Sequence, residues 1–182
     1  SVRHGDKQVV IMRTQDSNNT ITPAFAKTSR RCPPFCIQPM SLAPGVETIA
    51  ELEVLDYLKR KSEGDDSIMI IDSRSADWVA KGTIPGAINI EGARLDAAQG
   101  ANSISIGEIL QEDLNARNLG GLWDYSDVRT LIMFCNGLWC NEASNSILNL
   151  LKYGYPAQKI KWYRGGMQSW ESLGLTTVAP VE

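Results

Sequence analysis

Short runs of consecutive apolar residues alternate with helical patterns along this chain, and that alternation restricts the fold more than any other feature of the sequence. The runs at 68–71 and 131–134 contain no charged residue, which is typical of strands covered on both faces of a parallel sheet. The clearest helical pattern, from 142 to 152, places Ala143 and Ile147 on one face. The sequence therefore predicts an α/β domain with an open, mostly parallel sheet and helices on both faces.

Weaker patterns extend this prediction. The other predicted elements of the sheet and its covering layers are strands at 87–90 and 160–163 and helices at 76–81 and 106–117. A further helix is predicted to begin at about Glu47, because isoleucine and leucine recur every third residue from there to Leu58. Thr48 and Glu51 have the spacing of a capping box at its start.

The front of the chain differs in composition from the rest. Residues 1–44 combine one strand pattern with a polar tract and a segment that carries Pro and Cys, which is typical of loop. We predict that they form an N-terminal extension and that residues 45–182 form a single α/β domain. The extension is expected to dock on the domain through four apolar side chains. These are Phe25, Phe35, Ile37 and Met40.

A cysteine directly follows the apolar run at 131–134. The loop that begins with Cys135 continues with Asn136, Gly137, Leu138, Trp139, Cys140 and Asn141. In an α/β sheet such a loop joins a strand end to a helix start, where backbone N–H groups and the helix dipole stabilise an anion. We therefore predict that Cys135 is a stabilised thiolate, against the alternative of a buried structural cysteine.

Four motifs resemble the rhodanese family, the sulfurtransferases that carry a persulfide on an active-site cysteine. They are a strand ending in Asp-x-Arg (68–74), an Ile-Pro-Gly-Ala turn (82–89), the loop from Cys135 to Cys140, and a closing Gly-Gly-x-x-x-Trp segment (163–170). The resemblance covers about residues 45–180. It implies a single rhodanese-like domain in which Cys135 is the nucleophile.

Positive charge is scarce near this loop. Between 130 and 151 there is no Lys or Arg, and Glu142 is the only charged residue. The family resemblance implies that Arg74 is tied to Asp72 in a structural ion pair near the site. Arg164 is therefore the cation expected to face the substrate.

The sixth position of the loop sets this chain apart from thiosulfate-using members of the family, which commonly carry a cation there. This chain has Cys140, which is predicted to attack a persulfide on Cys135 or to act as a resolving thiol. The alternative is that Cys140 only packs in the first helical turn.

Three functions stay open, and a sulfurtransferase or persulfide carrier using Cys135 is the leading one. The second is a thiol–disulfide redox protein that uses Cys135 and Cys140, and the third is a non-catalytic interaction module. A phosphatase or an arsenate reductase is disfavoured, because both chemistries need an arginine that clamps the oxyanion.

The four cysteines fall in two close pairs. Cys32 and Cys36 are disulfide candidates, which favours an oxidising compartment. An exported, periplasmic protein is predicted, with a cytoplasmic one as the alternative. Zinc held by both pairs is disfavoured, because zinc knuckles usually separate their cysteines by two residues. No metal and no cofactor are predicted.

Charge and hydropathy restrict the partners. The net charge of −3 argues against nucleic acid as a partner, and no apolar run approaches the length of a membrane span. The expected partner is a small sulfur-containing substrate or a sulfur-acceptor protein. The oligomeric state is left open.

Overall fold

The computed structural model describes residues 1–180, so the last two residues of the predicted domain lie outside it. Within that range the strands are β1 (Val2–His4), β2 (Lys7–Val9), β3 (Glu47–Ile49), β4 (Ile68–Asp72), β5 (Ile88–Asn89), β6 (Arg117–Leu119), β7 (Leu122–Asp124), β8 (Thr130–Phe134) and β9 (Ile160–Tyr163). The helices are α1 (Pro23–Ala26), α2 (Glu51–Ser62), α3 (Ala76–Val79), α4 (Ser103–Glu108), α5 (Glu142–Lys152) and α6 (Gly166–Ser172). None of these helices is both long enough and apolar enough to cross a membrane.

A parallel five-stranded sheet organises the domain, with the strand order β3-β9-β8-β4-β5. Strands β4 and β8 pair along their whole length, from Ile68 opposite Thr130 to Asp72 opposite Phe134. The residues that follow these two strands therefore emerge side by side at the carboxyl edge of the sheet, where α/β folds place their ligand crevices.

Both faces of the sheet are covered. Ile70 and Ile132 belong to a buried cluster that includes side chains of α2 and α6. Ile71 and Met133, one residue along, belong to a second cluster that includes side chains of α4 and α5. Because successive strand residues point to opposite faces, the continuous apolar runs fill both cores. The predicted α/β class is confirmed.

The helix predicted from Glu47 begins four residues late. Residues 47–49 form β3 instead, which pairs with β9, and the helix starts at Glu51 after Ala50. The carboxylate of Glu53, and not that of Glu51, accepts a hydrogen bond from the backbone N–H of Ala50 at 2.9 Å. Leu52 is 77 % exposed, so the three-residue repeat overestimated the buried face.

The helix predicted at 106–117 also begins at a different residue, in this case three positions nearer the N-terminus. It begins at Ser103, where the side chain of Asn102 accepts hydrogen bonds from two backbone N–H groups. A π-helical turn over Ile109–Asp113 continues it. Asn115 then adopts a positive φ of 66°, which ends the helical path.

Part of the N-terminal extension packs closely on the domain. The β1–β2 hairpin buries Val2 against the cluster that contains α2. Phe25 of α1 is buried and stacks on Trp78, with ring centroids 5.5 Å apart. His4 is buried as well, and its ring contacts the carbonyl oxygen of Ala179 at 2.8 Å.

The rest of the predicted docking set is not buried. Phe35 is 45 % exposed, Met40 71 % and Ile37 85 %, so these three side chains lie outside the core, and Phe35 reaches the domain through an edge contact with Trp139. The front segment, defined here as residues 28–40, is attached mainly through polar groups, which the apolar residue count did not consider.

Candidate active site

Cys135 directly follows β8, and its side chain is buried. Its carbonyl oxygen accepts a hydrogen bond from the backbone N–H of Met167 at 3.0 Å, and the next carbonyl, of Asn136, accepts one from Gln168 at 2.9 Å. Both donors belong to the first turn of α6. The start of α6 therefore fixes the backbone of the loop.

A glycine allows this close approach. Gly166 has a φ of 58°, and a Cβ built on it would overlap the carbonyl oxygen of Cys135 and lie 2.9 Å from the backbone nitrogen of Gly137. Only a residue without a side chain fits there at that backbone angle. The Gly-Gly motif noticed in the sequence thus supports the cysteine loop.

Cys140 lies beside Cys135. Their Sγ atoms are in direct contact and their Cα atoms are 6.2 Å apart, a separation that a disulfide spans. The backbone N–H of Cys140 donates to the carbonyl oxygen of Gly137 at 3.0 Å, so a tight turn returns the chain toward Cys135. That Cys135 and Cys140 form a disulfide in the cell stays a prediction.

Glu142 is a site residue that the sequence interpretation did not assign. One of its oxygens, Oε2, lies 3.7 Å from Sγ of Cys135 and 3.8 Å from Sγ of Cys140. Burial, together with the nearby carboxylates of Asp72 and Glu91, raises the pKa of Glu142 to about 7. The sequence feature that could have identified Glu142 is that it is the only charged residue between 130 and 151.

The same three side chains have donor atoms within 4.8 Å of one another. The geometry is that of a thiol pair with a carboxylate beside it, and we assign no metal to it.

Arg74 and Asp72 form a buried ion pair beneath the loop. Nη2 of Arg74 lies 2.6 Å from Oδ2 of Asp72, and both side chains are almost fully excluded from solvent. Thr83 donates a hydrogen bond to the same carboxylate oxygen at 2.7 Å. Nη1 of Arg74 donates to Oδ1 of Asn136 at 3.4 Å, so the pair also supports the residue after Cys135.

Arg164, the cation expected to face the substrate, donates hydrogen bonds to the front segment. Its guanidinium donates to the carbonyl oxygen of Pro39 at 2.8 Å and to that of Gln38 at 2.7 Å. Strand β9 ends just before it, beside the end of β8, so the sequence placed it at the correct edge. The front segment, which could not be positioned from the sequence, accepts hydrogen bonds from two of the three guanidinium nitrogens.

The front segment covers the outer side of the loop. The backbone N–H of Gln38 donates to the carbonyl oxygen of Leu138 at 2.8 Å, and Phe35 contacts Trp139 edge to face with ring centroids 5.6 Å apart. The guanidinium of Arg30 lies 3.7 Å from the centroid of the Trp139 ring. A cavity of about 540 Å³ lies between Trp139 and this segment.

Cys32 and Cys36 lie in the same segment. Their Sγ atoms are in direct contact and their Cα atoms are 4.7 Å apart, so the structure is compatible with a disulfide. Cys32 is exposed and Cys36 partly buried. Their oxidation state in the cell stays a prediction.

A strand-end cysteine loop held by the first turn of α6, within a parallel α/β sheet, matches the rhodanese fold. The family model described as Rhodanese-like domain matches residues 54–173, and the chain belongs to this family. The resemblance inferred from the four motifs is therefore confirmed.

The chain is also similar to solved structures. A variant of EanB in complex with ergothioneine is 18 % identical over 76 % of this chain and 33 % of that one, with a TM-score of 0.52. BH2092 from Bacillus halodurans is 21 % identical over 70 % and 72 % of the two chains, with a TM-score of 0.48. The human single-domain sulfurtransferase TSTD1 is 20 % identical over 70 % and 96 %, with a TM-score of 0.46. No curated protein matches the sequence.

Proposed function

We propose that this protein is a sulfurtransferase or persulfide carrier in which Cys135 holds the transferred sulfur. The observation that carries the proposal is the position of Cys135, at the end of a central strand in a loop held by the first turn of α6. In the first step, the Cys135 thiolate attacks a sulfane sulfur. A new S–S bond forms, the donor leaves as a thiolate, and Cys135 becomes a persulfide.

The electrostatics of the site favour a donor with little negative charge. Glu142 lies against both sulfur atoms, and Arg74 is paired with Asp72. Desolvating a dianion without a cation beside it is costly. We therefore propose a persulfide or polysulfide, either a small molecule or a group on a partner protein, as the donor.

The direct test is a transfer assay with a small-molecule persulfide as donor and cyanide as acceptor. Cys135→Ser is expected to abolish thiocyanate formation, because serine cannot carry a sulfane sulfur. Cys140→Ser is expected to retain it, because cyanide attacks the terminal sulfur without help from the second thiol. Activity in Cys135→Ser together with loss in Cys140→Ser would reverse the assignment.

A thiol–disulfide redox protein is the second candidate, and the contact between the sulfur atoms of Cys135 and Cys140 favours it. Such a protein needs both thiols, so either serine variant would lose dithiol–disulfide exchange. The two candidates separate cleanly: cyanide-dependent transfer that survives Cys140→Ser belongs to the sulfurtransferase alone.

A further inference from the structure

One carboxylate oxygen lies beside two sulfur atoms in this site. Oε2 of Glu142 lies 3.7 Å from Sγ of Cys135 and 3.8 Å from Sγ of Cys140. Acidic residues are common in the first turn of helices, where the dipole stabilises them from the surface. The side chain of Glu142 instead turns into the thiol pair and loses part of its hydration, so stabilisation of the helix does not account for its position.

The charges around Glu142 favour proton exchange at this carboxylate. Asp72 and Glu91 disfavour its ionised form, whereas Arg74 favours it. Arg74 is already paired with Asp72 at 2.6 Å, so its charge is largely balanced. The carboxylate can therefore bind and release a proton near neutral pH, as the pKa of about 7 indicates.

We propose that Glu142 is a catalytic acid–base that moves a proton from Cys140 to the leaving sulfur when Cys140 resolves the Cys135 persulfide. This inference rests on the proposed function and adds an outcome to it. The transferred sulfur leaves as hydrosulfide, and the two cysteines become a disulfide.

The step balances as follows. Glu142 takes the proton of the Cys140 thiol, and the thiolate attacks Sγ of the Cys135 persulfide. The bond between the two cysteine sulfurs forms as the bond to the terminal sulfur breaks. The terminal sulfur leaves with the electron pair and receives the proton from Glu142, which gives HS⁻ from an initially anionic persulfide. Cys140 is oxidised, the terminal sulfur is reduced, and an external dithiol must reduce the disulfide before another turnover.

A single-turnover experiment isolates this step. The reduced protein is loaded with a small-molecule persulfide, the donor is removed by rapid gel filtration, and released sulfide and the cysteine disulfide are followed across pH 5.5–8.5. The release rate is expressed per loaded protein, so a change in loading does not affect it. Loaded Glu142→Gln is expected to release sulfide on the order of 100-fold more slowly. Wild-type release should increase as pH rises through about 7, and this increase should be absent in the variant.

Two further variants separate proton transfer from charge and packing. Glu91→Gln removes a nearby negative charge that raises the pKa of Glu142, so it should retain the release rate above pH 7 and lower the pH midpoint. Glu142→Asp keeps a carboxylate and should recover part of the rate. This recovery, with its pH dependence, is not expected of a side chain that only fills space.

The outcomes distinguish the two levels of the proposal. Glu142→Gln that releases sulfide at the wild-type rate and pH profile would overturn the role of Glu142 and leave Cys135 as the carrier. Cys140→Ser that still releases sulfide would overturn the resolving step. Wild-type protein that never loads sulfur would overturn the proposed function itself.

Discussion

At the scale of single residues, the position of Cys135 could be predicted from the sequence, whereas the contacts of Glu142 and Arg164 depend on the fold. Cys135 was predicted because an apolar run ends at it, and strand ends of parallel sheets are local features. Glu142 was not assigned, because only the turn from Gly137 to Cys140 brings its carboxylate to the sulfurs. Arg164 was expected to face the substrate, and its hydrogen bonds to a segment more than a hundred residues away could not be read from the sequence.

Thiosulfate should be a poor donor, because it carries two negative charges and the site presents Glu142 to both thiols. Cys140→Arg should raise thiosulfate turnover by about tenfold or more, since a charge-assisted hydrogen bond contributes roughly 1.5–3 kcal/mol. Steady-state thiocyanate formation measures this, with Cys140→Ser as the control that removes the thiol and adds no charge. High native thiosulfate turnover with no gain from the arginine would contradict the electrostatic argument.

Glu142 should also make stability depend on pH. Its folded pKa of about 7 lies above its ordinary value of 4.5, so its stabilising contribution is complete below pH 4.5 and is lost as pH rises to about 7. Glutamine does not ionise. Relative to wild type, oxidised Glu142→Gln should therefore gain about 2 kcal/mol of unfolding free energy between pH 4.5 and 8, a figure reduced for partial solvent exposure. Urea unfolding at both pH values tests this, and a difference that is independent of pH would refute it.

At the scale of elements, strands and helices with many buried side chains were predictable, and short or edge elements were not. Helix α5 and strand β9 occupy the predicted residues, because their apolar patterns are complete. Strand β3 was missed because its three residues, of which only Ile49 is buried, resemble the start of the following helix. Its strand state comes from pairing with β9, which is tertiary information.

Because α6 lies so close to the cysteine loop, adding one methyl group at Gly166 should greatly reduce the free energy of unfolding. Gly166→Ala forces an alanine to a φ of 58° and places its Cβ against the carbonyl oxygen of Cys135, so it should destabilise the fold by at least about 3 kcal/mol. Gly120→Ala is the matched control. Its φ is 65° with nothing within 4 Å, so it should cost only about 1–2 kcal/mol. Equal costs in denaturant unfolding would show that α6 does not hold the loop closely.

At the scale of the whole molecule, the front segment was the least predictable part. Its apolar residues suggested burial, yet Ile37 and Met40 are exposed. Backbone groups of Gln38 and Pro39 attach it instead, through hydrogen bonds with Leu138 and Arg164. Because almost every residue has the same backbone groups, the sequence gives no signal for such hydrogen bonds. The result is a segment with its own cysteine pair that covers one side of the active loop.

The pairing of Cys32 with Cys36 leads us to propose an oxidising compartment for this protein. Thiol titration under denaturing, non-reducing conditions, after acid quenching of protein from its native source, should find at least two fewer free thiols than the four cysteines of the sequence. Peptide mapping should assign the bond to Cys32 and Cys36. Four free thiols would remove both the disulfide and the argument for export.

Intact-mass analysis after brief exposure to a persulfide donor tests the central claim most directly. The Cys140→Ser variant, which cannot resolve the persulfide, should gain about 32 Da per added sulfur, and Cys135→Ser should gain none. The reduced wild-type protein should show the same gain of about 32 Da, followed by a loss of about 2 Da relative to the reduced protein as Cys140 forms the disulfide. Peptide mapping after alkylation should locate the added sulfur on Cys135. An equal gain in Cys135→Ser, or sulfur located only on another cysteine, would contradict the account of this protein as a sulfur carrier through Cys135.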